Sequence, residues 1–204
     1  MTAPRTKSSV RVFGVTAVLA VFAFVAACAS SGDAPARVRT TPVLSAAAAW
    51  DVIYDVLQHP RCLNCHPAGE SPLVGEASVP HPQNVLRGPN GAGSFGMRCA
   101  TCHQDDNVPG LHMPPGAPTW RLPHPNIPLV FEGRGSRELC EQLKDPARNG
   151  HKSPDALLEH MLHDPLVLWG WNPGDGRAAV PVPHDVVADA VRDWVAADCG
   201  CPED

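Results

Sequence analysis

Cys62-Leu63-Asn64-Cys65-His66 and Cys99-Ala100-Thr101-Cys102-His103 are two copies of one pattern, C-x-x-C-H, with their first cysteines 37 positions apart. Two thiols on one turn of chain reach the two vinyl groups of a single porphyrin, and the adjoining histidine is then set to ligate iron from one face. Each copy therefore reads as a covalent haem attachment site. Two C-x-x-C pairs would also supply four thiolates to a structural zinc ion. Here 33 residues separate the pairs, beyond the roughly 15–20 of a zinc ribbon, and zinc gives no reason for a histidine after both. Thiol redox chemistry of the thioredoxin kind wants a βαβ context, which this Pro/Gly-rich stretch does not offer.

The compartment fits the motifs. Arg5, Lys7 and Arg11 precede an uncharged apolar run from Val12 to Ala27, a basic region and a hydrophobic region of the length of an export signal. The run is shorter than the roughly 20 residues that a spanning helix needs. It ends Val25-Ala26-Ala27-Cys28, which resembles the lipobox of bacterial lipoproteins. That resemblance implies a signal peptide over 1–27, lipidation of Cys28 and anchoring to a membrane outside the cytoplasm. Several acyl chains anchor stably where one does not. Ala29 in place of an acidic residue resembles an outer-membrane address.

Without residues 1–27 the balance is 13 basic against 21 acidic residues. Such a surface excludes nucleic acid, whose binding needs phosphate neutralisation, and suits steering toward a basic protein partner. Residues 28–45 read as a flexible tether and 46–204 as one domain.

In that domain, Ser45 is a cap for a helix over Ala46 to Gln58, with Trp50, Ile53, Tyr54 and Leu57 on one face. Further helices are expected over Ser136 to Lys144 with Ser136 as cap, from Ser153-Pro154-Asp155 through about His163, and over Asp185 to Ala197. Pro67 to Leu129 shows neither helical nor strand periodicity and reads as loops wrapped around cofactors, whose apolar faces would replace part of a protein core. Gly91-Ala92-Gly93-Ser94-Phe95-Gly96 matches the dinucleotide fingerprint in letters but lacks the strand and helix that its mechanism requires. The expected fold is mostly α, with cytochrome c-like helices and long Pro/Gly-rich loops around two covalent haems. A helix leading straight into Cys62 resembles the arrangement in c-type cytochromes.

His66 and His103 are the proximal iron ligands of this reading. Candidates for the distal positions are Met113, His81, His112, His124, His160 and His163. Met113-Pro114 resembles the distal-ligand loop of class I cytochromes c, and its separation from His66 implies the first haem. Trp169 and Trp171 are candidates for packing, or for stacking near a haem. Cys140, Cys199 and Cys201 lie outside the motifs, and an oxidising compartment favours a bridge from Cys140 to Cys201 or Cys199. With more distal candidates than two sites require, and a mature chain short for a two-domain dihaem peroxidase, an electron carrier is expected rather than an enzyme. A zinc-binding exported structural protein is the remaining alternative.

Three phrases carry a more specific resemblance: Arg98 to Gln104 around the second motif, His112-Met113-Pro114-Pro115-Gly116-Ala117-Pro118, and Asp164-Pro165-Leu166-Val167-Leu168-Trp169-Gly170-Trp171. They are similar to small exported proteins labelled as subunits of isoquinoline 1-oxidoreductase, which accompany bacterial molybdenum hydroxylases. The resemblance implies a dihaem electron-transfer subunit whose redox partner is such a hydroxylase. Nothing in this chain suggests molybdopterin or iron–sulfur binding of its own.

Overall fold

The computed structural model describes Arg39 and residues 42–203. The expected signal peptide, the lipidation site at Cys28 and most of the tether lie outside the described residues. What is described is helix-rich with four two-residue strands.

Helix α1 (Ala46–Leu57) starts where the Ser45 hydroxyl accepts the Ala48 N–H at 3.3 Å, which satisfies one of the donors that a helix start leaves open. It buries Ala49, Trp50, Ile53, Val56 and Leu57. The spacing is that of one helical face. The α6 helix (His184–Ala196) presents Val187, Ala190, Val191 and Trp194 in return. Between them the Trp50 and Trp194 rings lie 5.3 Å apart at 41°. Both buried indoles keep a partner for their N–H: Ser136 Oγ at 2.9 Å for Trp50, the Gly200 carbonyl at 3.0 Å for Trp194. Asp193, also buried on α6, accepts from Arg39 and from the Leu44 N–H. These bonds hold its carboxyl below the ordinary range and fasten the start of the domain to its last helix.

The α3 helix (Ser136–Lys144) packs on α1, and α4 (Pro154–His163) on α6. Ser153 caps α4 by accepting the Ala156 N–H at 3.2 Å, with Pro154 in the first turn. At α3 the cap differs from expectation. Gly135 holds the N-cap position, and Ser136 is the first helical residue, its hydroxyl serving the Trp50 indole instead. Cys140 of α3 is bridged to Cys201, while Cys199 is free and buried. A buried core contact thus overrode a local capping preference, and of the two partners for Cys140 it is Cys201 that bonds.

Two short helices, α2 (Pro60–Leu63) and α5 (Pro165–Leu168), and the 3-10 turns Cys99–Thr101 and Trp169–Trp171 complete the helical part. Between α2 and α3 the chain is loop, punctuated by two antiparallel hairpins: β1 (Leu73–Val74) with β2 (Val79–Pro80), and β3 (Gly93–Ser94) with β4 (Met97–Arg98). The fingerprint-like glycines belong to the second hairpin. Gly91 has φ +82°, and a Cβ there would stand 2.1 Å from the Leu122 carbonyl oxygen, so backbone approach rather than a nucleotide explains it.

Candidate haem centre

Each C-x-x-C-H segment is wound into a single turn. At the first, the Cys65 N–H donates to the Cys62 carbonyl (3.2 Å) and the His66 N–H to Leu63 (2.9 Å). At the second, Cys102 donates to Cys99 (3.2 Å) and His103 also to Cys99 (2.9 Å). The first turn forms because α1 ends at Leu57, His59 then caps α2 by accepting the Arg61 N–H on its Nδ1, and Pro60 opens α2. The second forms because hairpin β3–β4 returns the chain, with the Cys99 N–H donating to the Ala92 carbonyl (3.1 Å).

The two histidines are held in the same way. His66 Nδ1 lies 2.7 Å from the Leu129 carbonyl oxygen and His103 Nδ1 lies 2.7 Å from that of Pro115. A carbonyl can only accept, so it selects the tautomer with the proton on Nδ1 and leaves the Nε2 lone pair free for a metal. Each ring is also clamped face-on: His66 by Phe131 at 3.8 Å and 11°, His103 by Trp120 at 4.6 Å and 4°. Burial pushes the His66 pKa down to about 4 and lowers that of His103. Both imidazoles are therefore neutral at pH 7, the form that binds metals.

These carbonyls are themselves fixed. Gln58 and Gln142 donate to the Phe131 and Val130 carbonyls (3.3 and 3.0 Å), pinning the strand of chain that carries Leu129. Asn107 accepts the Gly116 N–H at 3.0 Å and the Trp169 indole at 2.9 Å, pinning Pro115. A Cβ at Gly116 would stand 2.1 Å from the Asp106 carbonyl oxygen, so the loop closes only on glycine.

Three of the four motif cysteines face a cavity. Cys65, Cys99, Cys102 and His103 line a space of about 630 Å³, together with His81, Trp120 and Trp169. Its size falls within the roughly 300–1,000 Å³ of cofactor sites, and its lining is mainly apolar with basic groups from Arg61, Arg98, Arg121 and Arg177. Arg61 is buried, its Nη2 2.7 Å from Glu76 Oε1, its Nε without a hydrogen-bond partner among the described residues, and its guanidinium 5.8 Å from the Trp169 ring centre. Among the described residues no three of His, Cys, Asp and Glu converge as a metal-ligand set. A porphyrin needs none, because it brings four nitrogens to its own iron.

Burial pushes the Cys62 thiol up to about 12 and Cys65 to about 11, each against the opposing field of Arg61. A redox-active C-x-x-C works with a thiolate of lowered pKa. These thiols are displaced the other way. Paired thiols on a turn, an oriented neutral imidazole beside each pair, and an apolar cavity with cationic rim groups fit haem at the second motif. The first motif shares the turn and the oriented histidine, and its Cys65 shares the cavity.

The distal candidates separate. His81 and His112 line the cavity. Met113 is 42% exposed and outside the lining, its carbonyl accepting from Arg177. His124 is exposed, and His163 is exposed beside Glu159 at 3.6 Å. His160 is half-buried, its Nδ1 3.0 Å from Asp164 Oδ2, and near enough to His66 to lower the latter's pKa. Of the two tryptophans, Trp169 lines the cavity, whereas Trp171 donates to the Val182 carbonyl and meets His184 edge-on. Phe131, Trp120, Asn107 and Arg61 escape sequence reasoning, since no spacing rule ties them to the motifs. Their nearest signal is that Trp120 is a large aromatic in a stretch otherwise poor in such residues. No helix among the described residues is long and apolar enough to cross a membrane. No protein-family model, curated protein or solved structure matches this chain.

Proposed function

We propose that this protein is an exported dihaem c-type cytochrome that carries electrons, held at a membrane by lipid on Cys28. The observation that carries the reading is the repeated build of the two motifs: in both, one turn presents two thiols, and a neutral histidine is oriented by a backbone carbonyl at 2.7 Å and backed by an aromatic ring. Two carbonyls well apart in the Pro67–Leu129 stretch, those of Leu129 and Pro115, supply that same support.

Cys62 and Cys65 would bind one porphyrin and Cys99 and Cys102 the other, with His66 and His103 as proximal ligands. Bound haem supplies a one-electron ferric–ferrous couple. The chain's part is to hold the ligands still. Carbonyls on His66 and His103 raise the basicity of Nε2 and favour the ferric state, while apolar lining opposes net charge and favours the ferrous one. Arg98, Arg121 and Arg177 on the cavity wall would give a bound haem's acidic propionates cationic partners. The redox partner is a dehydrogenase, in particular a molybdenum hydroxylase of the kind the sequence phrases imply. Hydroxylating a heterocycle or aldehyde releases two electrons, and two one-electron sites accept both.

Pyridine haemochrome absorbance and intact mass of purified protein should give two covalent haems per chain. A colourless protein that retains zinc would overturn the reading. In the same preparation Cys28→Ser should release the protein from the membrane fraction. Retention there would remove the lipid anchor from the proposal.

A further inference from the structure

We propose that His81 is the second axial ligand of the iron at the Cys99–Cys102–His103 motif, making that site six-coordinate with two histidines. The proposal rests on the haem reading of that motif and names the ligand that completes it.

The geometry comes from the gap between two rings. The His81 and His103 imidazoles face each other across 6.4 Å between centres, at an interplanar angle of 71°. Two metal–imidazole bonds of roughly 2.0 Å each, plus about 1.1 Å from each ligating nitrogen to its ring centre, put two imidazoles on one ion roughly 6.2 Å apart. Edge-on ring contacts also span this range, so what distinguishes the pair is the buried, unpartnered nitrogen of His81 in the same cavity. An ordinary hydrogen-bonded pair would also join nitrogen to nitrogen, and none joins these two. The separation is that of two ligands sharing one ion.

His81 is otherwise unengaged. Its Nδ1 is buried without a hydrogen-bond partner among the described residues, and its ring lines the same cavity as Cys99, Cys102 and His103. Its backbone, by contrast, is fixed: the His81 N–H donates to the Pro72 carbonyl at 2.9 Å, and its carbonyl accepts from Asn84 at 3.0 Å. A buried polar atom with no partner on a well-held backbone is unusual unless something else is bound there.

The hairpin that carries His81 grows out of the first motif. Leu73 donates to the Asn64 carbonyl at 3.0 Å, and Asn64 Nδ2 to the Gly75 carbonyl at 2.9 Å. Strand β2 then pairs Pro80 with Leu73 and ends there, one residue before His81. The residues of the first attachment turn thereby deliver the ligand of the second site. His112, the other histidine on the cavity wall, is exposed and stands against Gly176. Met113 lies outside the lining.

The test uses the full haem-loaded chain and three variants: His81→Ala, His81→Met and His112→Ala. Haem content by pyridine haemochrome is read first, because fewer than two haems per wild-type chain would defeat the haem reading itself. With two haems present, His81→Ala should convert one of the two from low-spin to high-spin in the visible and electron paramagnetic resonance spectra. It should also let that haem bind cyanide, and added imidazole should restore the low-spin signal. His81→Met should stay low-spin and raise one midpoint potential while leaving the other in place. His112→Ala should change neither. Two low-spin haems in His81→Ala, with unaltered potentials in His81→Met, would overturn the assignment, and loss of the low-spin signal in His112→Ala alone would hand the role to His112.

Discussion

Asn107 fastens the loop behind the second site, and its removal has a calculable cost. Its Oδ1 accepts from the Gly116 N–H (3.0 Å) and the Trp169 indole (2.9 Å), and its Nδ2 donates to the Asn172 carbonyl (3.1 Å). Asn107→Ala deletes all three bonds, each worth about 1 kcal/mol net. The stranded groups differ in access to water. Trp169 is 9% exposed, so its N–H keeps a larger penalty, whereas exposed Asn172 recovers a water partner. A total loss of about 2–3 kcal/mol follows, or roughly 5–10 °C in melting temperature for a domain of this size. Gly116 adjoins Pro115, whose carbonyl orients His103. If His103 ligates iron as proposed, loosening it would make that ligand less basic and remove ferric stabilisation, and should raise one midpoint potential by tens of millivolts, at about 59 mV per tenfold change in the equilibrium. Thermal circular dichroism and a redox titration of the loaded protein read both effects. Asn107→Asp, which keeps the acceptor and loses only the donor, should cost about 1 kcal/mol. An Asn107→Ala protein that melts within about 0.5 kcal/mol of wild type with both potentials unmoved would refute the reasoning.

Two further outcomes concern the fold. Cys201→Ser opens a bridge spanning 61 positions, for which chain entropy gives about 4 kcal/mol. Chemical denaturation should show that loss, and a stability equal to wild type would mean that the C-terminal segment is held by Trp194 and its bond to Gly200 instead. In haem-free chain, His66 titrates at about 4 when folded, against about 6.5 when unfolded. Since the folded value is the lower one, the unfolded state takes up the proton first, so stability is whole above pH 6.5 and falls as the pH drops from there toward 4. The loss approaches 3 kcal/mol, and urea midpoints across that range should show it. His66→Gln should flatten the slope.

The helices were legible because their signals are local. Ser45 before Ala46 to Leu57, and Ser153-Pro154 before α4, combine a cap with a one-sided apolar pattern, and both helices form there. Boundaries slipped where a tertiary contact intervened: Ser136 looks like a cap, yet Trp50 claims its hydroxyl. The long loop from Pro67 to Leu129 was legible as loop, since it lacks any period, but its path was not. Nothing local says that Leu129 will meet His66 or Pro115 meet His103, because these contacts span 63 and 12 positions and depend on how glutamines and an asparagine elsewhere pin the backbone.

The relation between the two motifs is of this second kind. In sequence they are a repeated pentapeptide. In space Cys65 of the first lines the cavity that holds Cys99, Cys102 and His103 of the second. A line of contacts joins them on the other side as well. Arg61, next to Cys62, lies 5.8 Å from the centre of the Trp169 ring, Trp169 meets Trp120 edge-on at 5.0 Å, and Trp120 stacks on His103 at 4.6 Å. The hairpin bearing His81 ties them a third time. The shared cavity wall, the Arg61–Trp169–Trp120 contacts and the hairpin that leads to His81 therefore tie the two attachment turns together. On the proposed dihaem reading, that coupling would have a physical consequence: sites that share walls feel each other's charge through apolar material of low dielectric. Reduction of a haem at one of them would then lower the affinity of the other for an electron, and the two potentials would separate even with like ligands.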